Sequence, residues 1–213
     1  MVRMLIADAG NLSFEAIIDA VEALENGEVI IYPTDTVYGV GVNALNSNAV
    51  LKIFKIKKRP LNKALPIAVS GLEMVKRLAI STEKAERLME AFWPGALTVI
   101  LRKKPEIPEV VTGGSIGVGV RKPNHLIPLS IIKTLNLPII ATSANIHGNI
   151  NPVDANEALD QLGGEVDLII DGGRVSGMPS TVIDMLRKPP LIIRRGMITE
   201  EMIREIIGHV KVS

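Results

Sequence analysis

Apolar residues recur at helical spacing at Phe14, Ile17, Ile18, Val21 and Leu24, which predicts an amphipathic helix over 14–26. Ser13 stands where it can cap the start, and Gly27 where the chain can leave in a left-handed turn. The run EVIIYPT, 28–34, then reads as a buried strand leaving at Pro33. A second helix, 48–58, is expected to start at a Ser47 cap and stop before Arg59-Pro60, because the residue preceding a proline is driven out of the helical region. Short apolar strands are expected at 65–69, 97–101, 116–120, 138–141, 166–170, 181–185 and 191–193. Helices are expected at 83–92, 125–135 and 155–162, with a last one at 200–207 capped by Thr199.

Helices and strands alternate irregularly, and several strands lie close enough for hairpins. That pattern predicts an α/β (α+β) fold with a mixed sheet flanked by helices, rather than a strictly parallel one. No repeat, low-complexity segment or linker-like stretch divides the chain, so 1–213 is expected to form a single domain.

Composition narrows the function classes. The chain has 213 residues, of which 47% are hydrophobic, enough for a sizeable core and too many for a disordered chain. Twenty-four basic against 23 acidic groups give a net charge of +1, so a general polyanion coat is not expected, although a local basic patch is. The absence of cysteine excludes a disulfide framework, a thiol nucleophile and a thiolate metal site. One Trp, two Tyr and three Phe offer few stacking platforms for single-stranded nucleic acid. The N-terminal segment turns acidic too early for a signal peptide, and charge, Asn or Gly interrupts every long apolar run. A soluble, cytoplasmic protein without membrane association is expected.

Generic motifs do not carry the chemistry. No phosphate-binding P-loop is present. Gly39-Val40-Gly41-Val42-Asn43-Ala44 matches a dinucleotide fingerprint in letters only, with cations where that fold needs an acid. Ser130-Ile131-Ile132-Lys133 is a chance S-x-x-K on an amphipathic helix, and His125, His147 and His209 lack ligand spacing.

Polar segments at strand exits remain. Pro33-Thr34-Asp35-Thr36 follows the first strand, where open α/β sheets bind ligands; its bland reading is a turn in which Asp35 caps its own backbone. Lys57, Lys58, Arg59 and Lys63 flank Pro60 and can converge on one anion, either a triphosphate or an RNA backbone. Ala141-Thr142-Ser143-Ala144-Asn145, Gly172-Gly173 to Ser180-Thr181, and Arg194-Arg195-Gly196 follow other strands, and Arg121 is a candidate carboxylate fork. No nucleophile or acid–base pair is evident. A reaction run by positioning and charge neutralisation needs none.

Pro33–Gly41, Lys57–Pro60, Phe92–Thr98, Val120–His125, Ser143–Asn145, Pro179–Asp184 and Arg194–Gly196, in this order, resemble the YrdC-type threonylcarbamoyl-AMP synthases over about residues 13 to 207. The resemblance implies a twisted mixed sheet with a large, positively charged concave face. It implies that threonine and bicarbonate give N-carboxythreonine, whose carboxylate attacks the α-phosphate of ATP. Pyrophosphate and threonylcarbamoyl-AMP are released, and a partner transferase complex then modifies tRNA. By position, Lys57 and Arg59 match the family's K-x-R pair, and Ser143 with Asn145 its S-x-N. The catalytic role thus falls to Lys57 and Arg59. ATP would be bound by Arg59, Lys63, Ser143, Asn145, Asn151 and Arg194. Threonine would be bound by Thr36, Arg121, Ala141 and Ser180. Ala68 stands where many members have His, Lys63 where many have Asn, and Arg195 where Pro is common. The chain has the extent of the short, single-domain form. Magnesium follows from ATP chemistry alone, with no ligand assigned. The rival reading is a non-enzymatic module that binds structured RNA through the Lys52–Lys63 cluster. A carbamoyl-transfer domain shares the fold family but normally sits in a much longer, cysteine-rich chain.

Overall fold

The apolar runs assemble into two sheets in the computed structural model, which describes residues 2–6 and 14–213. The first part of the chain gives β1 (Arg3–Ile6), α1 (Phe14–Glu25), β2 (Ile30–Tyr32), β3 (Gly39–Gly41), α2 (Ser47–Ile56), β4 (Ile67–Ala68), α3 (Leu72–Leu78) and β5 (Ala79–Ile80). Next come α4 (Glu83–Phe92), β6 (Leu97–Lys103), α5 (Glu109–Thr112), β7 (Gly117–Arg121), α6 (Leu126–Leu135), β8 (Ile139–Ile140) and β9 (Thr142–Ser143). The last part gives α7 (Ala155–Leu162), β10 (Leu168–Asp171), β11 (Thr181–Asp184), β12 (Leu191–Arg194), α8 (Glu200–Ile207) and β13 (Lys211–Val212).

One sheet runs β1-β10-β2-β3-β9 and the other β13-β12-β11-β6-β7-β4-β8, with β5 added beside β6. Both mix parallel and antiparallel pairs: β10 is parallel to β1 and β2, while β3 is antiparallel to β2 and β9. This is the mixed sheet with flanking helices that the sequence predicts, now divided in two.

The chain passes from one sheet to the other across a single residue. Ile139 and Ile140 pair with β4 in the second sheet, and Thr142 and Ser143 pair with β3 in the first. Ala141 between them donates its N–H to the Pro66 carbonyl at 2.9 Å. Gly41 permits the approach, since a Cβ there would lie 2.5 Å from the Ile140 carbonyl oxygen and 2.9 Å from the Tyr32 ring. The glycines of the false dinucleotide motif thus serve a close contact between neighbours. A continuous core of Ile, Leu, Val and Ala, with Tyr32 and Tyr38, fills both sheets.

Local expectations are corrected in detail. Asn46, not Ser47, caps α2, accepting from the Ala49 N–H at 3.1 Å. The helix ends at Ile56, with Lys57 as cap and Lys58 at φ 50. The β2, β4, β8 and β10 strands are shorter than their apolar runs, because loops also bury apolar side chains here. Short elements α3, β5, α5 and β13 were too brief to leave a periodic signature, and β1 was not expected. Gly27 takes the left-handed turn (φ 71) after α1, Thr199 caps α8, and Ser13 lies outside the described residues. No helix among the described residues is long and apolar enough to cross a membrane.

Candidate active site

A cleft of about 440 Å³ opens between the sheets, lined by the ends of β6, β7, β11 and β12 and by the loops after β2, α2 and β9. A dead-end recess of about 30 Å³, sharing Thr36, Arg121, Ala141 and Ser143 with the cleft, continues inward to Tyr32, Gly39 and Ala68. That volume admits roughly two water-sized groups, which suits a small side chain.

Arg121, at the end of β7, stands where recess and cleft join. Its Nε donates to the Gly95 carbonyl at 3.0 Å, one terminal nitrogen to Thr36 Oγ1 at 2.9 Å, and the other to Asp35 Oδ1 at 2.6 Å. Two of its five N–H groups stay unspent, enough to bind a carboxylate. Asp35 also accepts from the Asn124 N–H at 3.1 Å. The self-capping turn considered for Asp35 is instead made by Thr34, whose Oγ1 accepts from the Thr36 and Val37 N–H groups and donates to the Val37 carbonyl.

Two further guanidiniums border the cleft. Arg59 is braced by the Lys63 and Ala64 carbonyls at 3.0 and 2.9 Å and meets His147 Nδ1 at 3.3 Å. Arg194 donates to the Ser180 carbonyl and to Ser180 Oγ, and that hydroxyl lies 3.0 Å from Thr98 Oγ1. Burial lowers the pKa of both arginines, and for Arg194 the charge of Arg121 adds to the effect. An anion between them would relieve both costs.

Of the residues predicted from sequence, Thr36, Arg59, Arg121, Ala141, Ser143, Asn151, Ser180 and Arg194 line this cleft. Lys57, Lys63 and Asn145 do not. Lys57 is 1% exposed, and its ammonium donates to the Ser143 carbonyl at 2.5 Å, the Asn145 carbonyl at 2.6 Å and Asn145 Oδ1 at 3.2 Å. With all three N–H groups spent, it fastens the loop after β9 from behind. Burial, with a smaller push from Arg59, lowers its pKa to about 7. Lys63 contributes its carbonyl to Arg59 and leaves its side chain exposed.

Sequence reasoning assigned no role to Thr98, Ser115, Gly117, Gly119, Ile100, Val182, Asp184 or Ile193, all of which line the cleft. The apolar runs at 97–101 and 116–120 marked those strands but not which face of each would border a cavity.

Comparison with known proteins supplies the context. A family model described as "Telomere recombination", covering Sua5, YciO and YrdC proteins, matches residues 22–196. The threonylcarbamoyl-AMP synthase of Pyrococcus abyssi is 41% identical over 89% of this chain and 56% of its own length. The Bacillus subtilis enzyme of the same name is 40% identical over 92% of this chain and 58% of its own. The chain thus spans just over half the length of these curated relatives. The crystal structure of P. abyssi Sua5 complexed with L-threonine superposes with a TM-score of 0.94 at 38% identity, covering 100% of this chain and 62% of that one. Escherichia coli YciO superposes at 0.86 with 30% identity, covering 92% and 97% of the two chains. Matched in sequence over most of its length and in fold over nearly all of it, the chain belongs to the Sua5/YciO/YrdC family.

Proposed function

We propose that this chain makes threonylcarbamoyl-AMP and pyrophosphate from ATP, L-threonine and bicarbonate. The observation that carries the reading is the junction at Arg121, where a small recess with a carboxylate fork opens into a larger cleft bordered by Arg59 and Arg194. Threonine's carboxylate would sit on Arg121, beside Thr36, with its side chain in the recess. Bicarbonate condensed on its nitrogen, with loss of water, then places a carboxylate at the cleft, facing the α-phosphate. That carboxylate attacks phosphorus as the bond to pyrophosphate breaks. Arg59 and Arg194 neutralise charge on the phosphates, Asn151 and Ser180 add polar contacts, and the strip formed by Ile100, Gly117, Gly119, Val182 and Ile193 offers a flat apolar seat for a base. No side-chain nucleophile is required.

ATP chemistry implies magnesium. Among the described residues no three His, Cys, Asp or Glu side chains converge on one point. Asp35 is held by Arg121 and Asn124, and Asp184 by the Leu186 N–H and Arg187. These donors do not fit a resident metal; a cation would arrive on the phosphate oxygens as part of the nucleotide.

We further read residues 1–213 as one domain in the cytoplasm, passing its product to a tRNA-modifying transferase complex; the core shared by both sheets supports the first point. Lys57 acts in this reading by holding the loop after β9, not by touching phosphate. Pyrophosphate release is the test, measured with threonine alone, bicarbonate alone and both. Release that needs both supports the synthase. ATP turnover indifferent to threonine overturns it, and salt-sensitive tRNA binding without any ATP chemistry favours the RNA-binding module instead.

A further inference from the structure

Arg59 is held by three acceptors that come from two separate loops. The loop after α2 supplies the Lys63 carbonyl to Nε at 3.0 Å and the Ala64 carbonyl to one terminal nitrogen at 2.9 Å. The other terminal nitrogen meets His147 Nδ1, from the loop after β9, at 3.3 Å. Arginine carries five donors and no acceptor, so this contact fixes the imidazole tautomer: Nδ1 accepts and the ring proton sits on Nε2. Three N–H groups are then spent. One on each terminal nitrogen remains for the cleft that Arg59 lines.

His147 is placed for this contact by the main chain. Its backbone N–H donates to the Lys57 carbonyl at 2.8 Å, two residues before Arg59. The turn that carries it is closed by Asn145 Nδ2 on the Asn149 carbonyl at 2.7 Å and by the Asn149 N–H on the Ile146 carbonyl at 3.0 Å. Gly148 supplies the φ of 93 within that turn. On the facing side Lys58, at φ 50, bends the chain so that the Arg59 N–H reaches the Phe54 carbonyl at 2.9 Å. Both partners are thus fixed at the backbone. The imidazole itself is exposed and is not part of the cleft lining.

We infer that His147 is a positioning residue for the reaction: its Nδ1 lone pair aims the two free N–H groups of Arg59 at the phosphates of the nucleotide. Through this contact the loop after β9 helps to set the direction of a cation carried by the loop after α2. The inference rests on the synthase reading and adds to it a residue that touches neither substrate.

Two substitutions test it. His147→Leu keeps much of the bulk and removes the acceptor, whereas His147→Asn puts an amide oxygen where Nδ1 stood. Pyrophosphate release under steady-state conditions would give kcat/KM for ATP and the KM for threonine. His147→Leu should lower kcat/KM for ATP about fivefold to tenfold, the equivalent of one hydrogen bond, with the threonine KM within about twofold of wild type. His147→Asn should recover most of that loss. In an Arg59→Ala background His147→Leu should cost no further factor, because the guanidinium through which it acts is gone. An unchanged kcat/KM for His147→Leu, a threonine KM that rises in step, an Asn variant no better than Leu, or an equal loss in both backgrounds overturns the inference while leaving the synthase reading intact. A wild type that releases no pyrophosphate overturns both.

Discussion

Arg121 and Asp35 form an ion pair of 2.6 Å, and the same carboxylate oxygen accepts the Asn124 N–H, so the loop after β2 fixes both the end of β7 and the turn that follows it. Their side chains are only 11% and 16% exposed. A pair so sheltered behaves as a jig. Asp35 holds the guanidinium plane, and the unspent N–H groups remain for a substrate carboxylate.

Arg121→Lys should therefore damage threonine use far more than ATP use, because a point charge replaces a fork held at three places. The expected outcome is a threonine KM raised about tenfold or more, with the ATP KM changed by less than about threefold. Steady-state kinetics with each substrate varied in turn would decide. Asp35→Asn should follow the same direction more weakly, since an amide can still accept from Arg121. Equal damage to both substrates would mean that the pair acts only on the fold.

Arg59→Ala removes a cleft guanidinium and its braces to residues 63 and 64. Loss of one charge-assisted contact should cost about 1.5–3 kcal/mol in transition-state stabilisation, about ten- to a hundredfold in turnover. The variant should keep its threonine affinity, which calorimetry can follow directly. Unchanged turnover would take Arg59 out of the site.

Lys57 gives a pH signature. Its pKa of about 7 lies below the ordinary lysine value of 10.5, so between those limits the folded chain binds fewer protons at this position than the unfolded chain does. Stability then rises with pH across that window as far as this group is concerned. Chemical denaturation of the wild type and of Lys57→Met from pH 6 to 10 should show the difference between them moving in favour of the wild type at alkaline pH. A difference flat with pH would mean that the acceptors of Ser143 and Asn145 hold the ammonium charged throughout.

Gly41→Ala should be poorly tolerated although no ligand is involved. The new Cβ meets the Ile140 backbone oxygen at 2.5 Å, an atom that cannot swing aside. A loss of about 1–3 kcal/mol is expected, readable as a lowered denaturation midpoint.

Much of this was legible in the sequence. Long apolar periods announced α1, α4, α6 and α8 nearly to the residue, and the polar strand exits around Thr36, Arg121, Ser143 and Ser180 did converge on one cleft. The inward turn of Lys57 was illegible for a physical reason. In a run of cations nothing local distinguishes the one that points inward, since its acceptors, Ser143 and Asn145, lie more than eighty residues away. Asp35 was obscure in the same way: its role depends on Arg121, and only tertiary structure brings the two together. Thr98 sat in a noted segment, but its contact with Ser180 crosses from one strand to its neighbour.

The single-residue passage from one sheet to the other at Ala141 has a consequence for how the molecule can be taken apart. A cut there would separate β8 from β9 and leave each fragment with an unpaired edge at the substrate site. Two-fragment complementation split at 141 should accordingly fail. A nick in the exposed turn at Arg187 and Lys188, between β11 and β12, severs no such seam and should be survived. Both sheets therefore stand or fall as one cooperative unit, and a ligand seated at their junction should slow amide exchange in both at once.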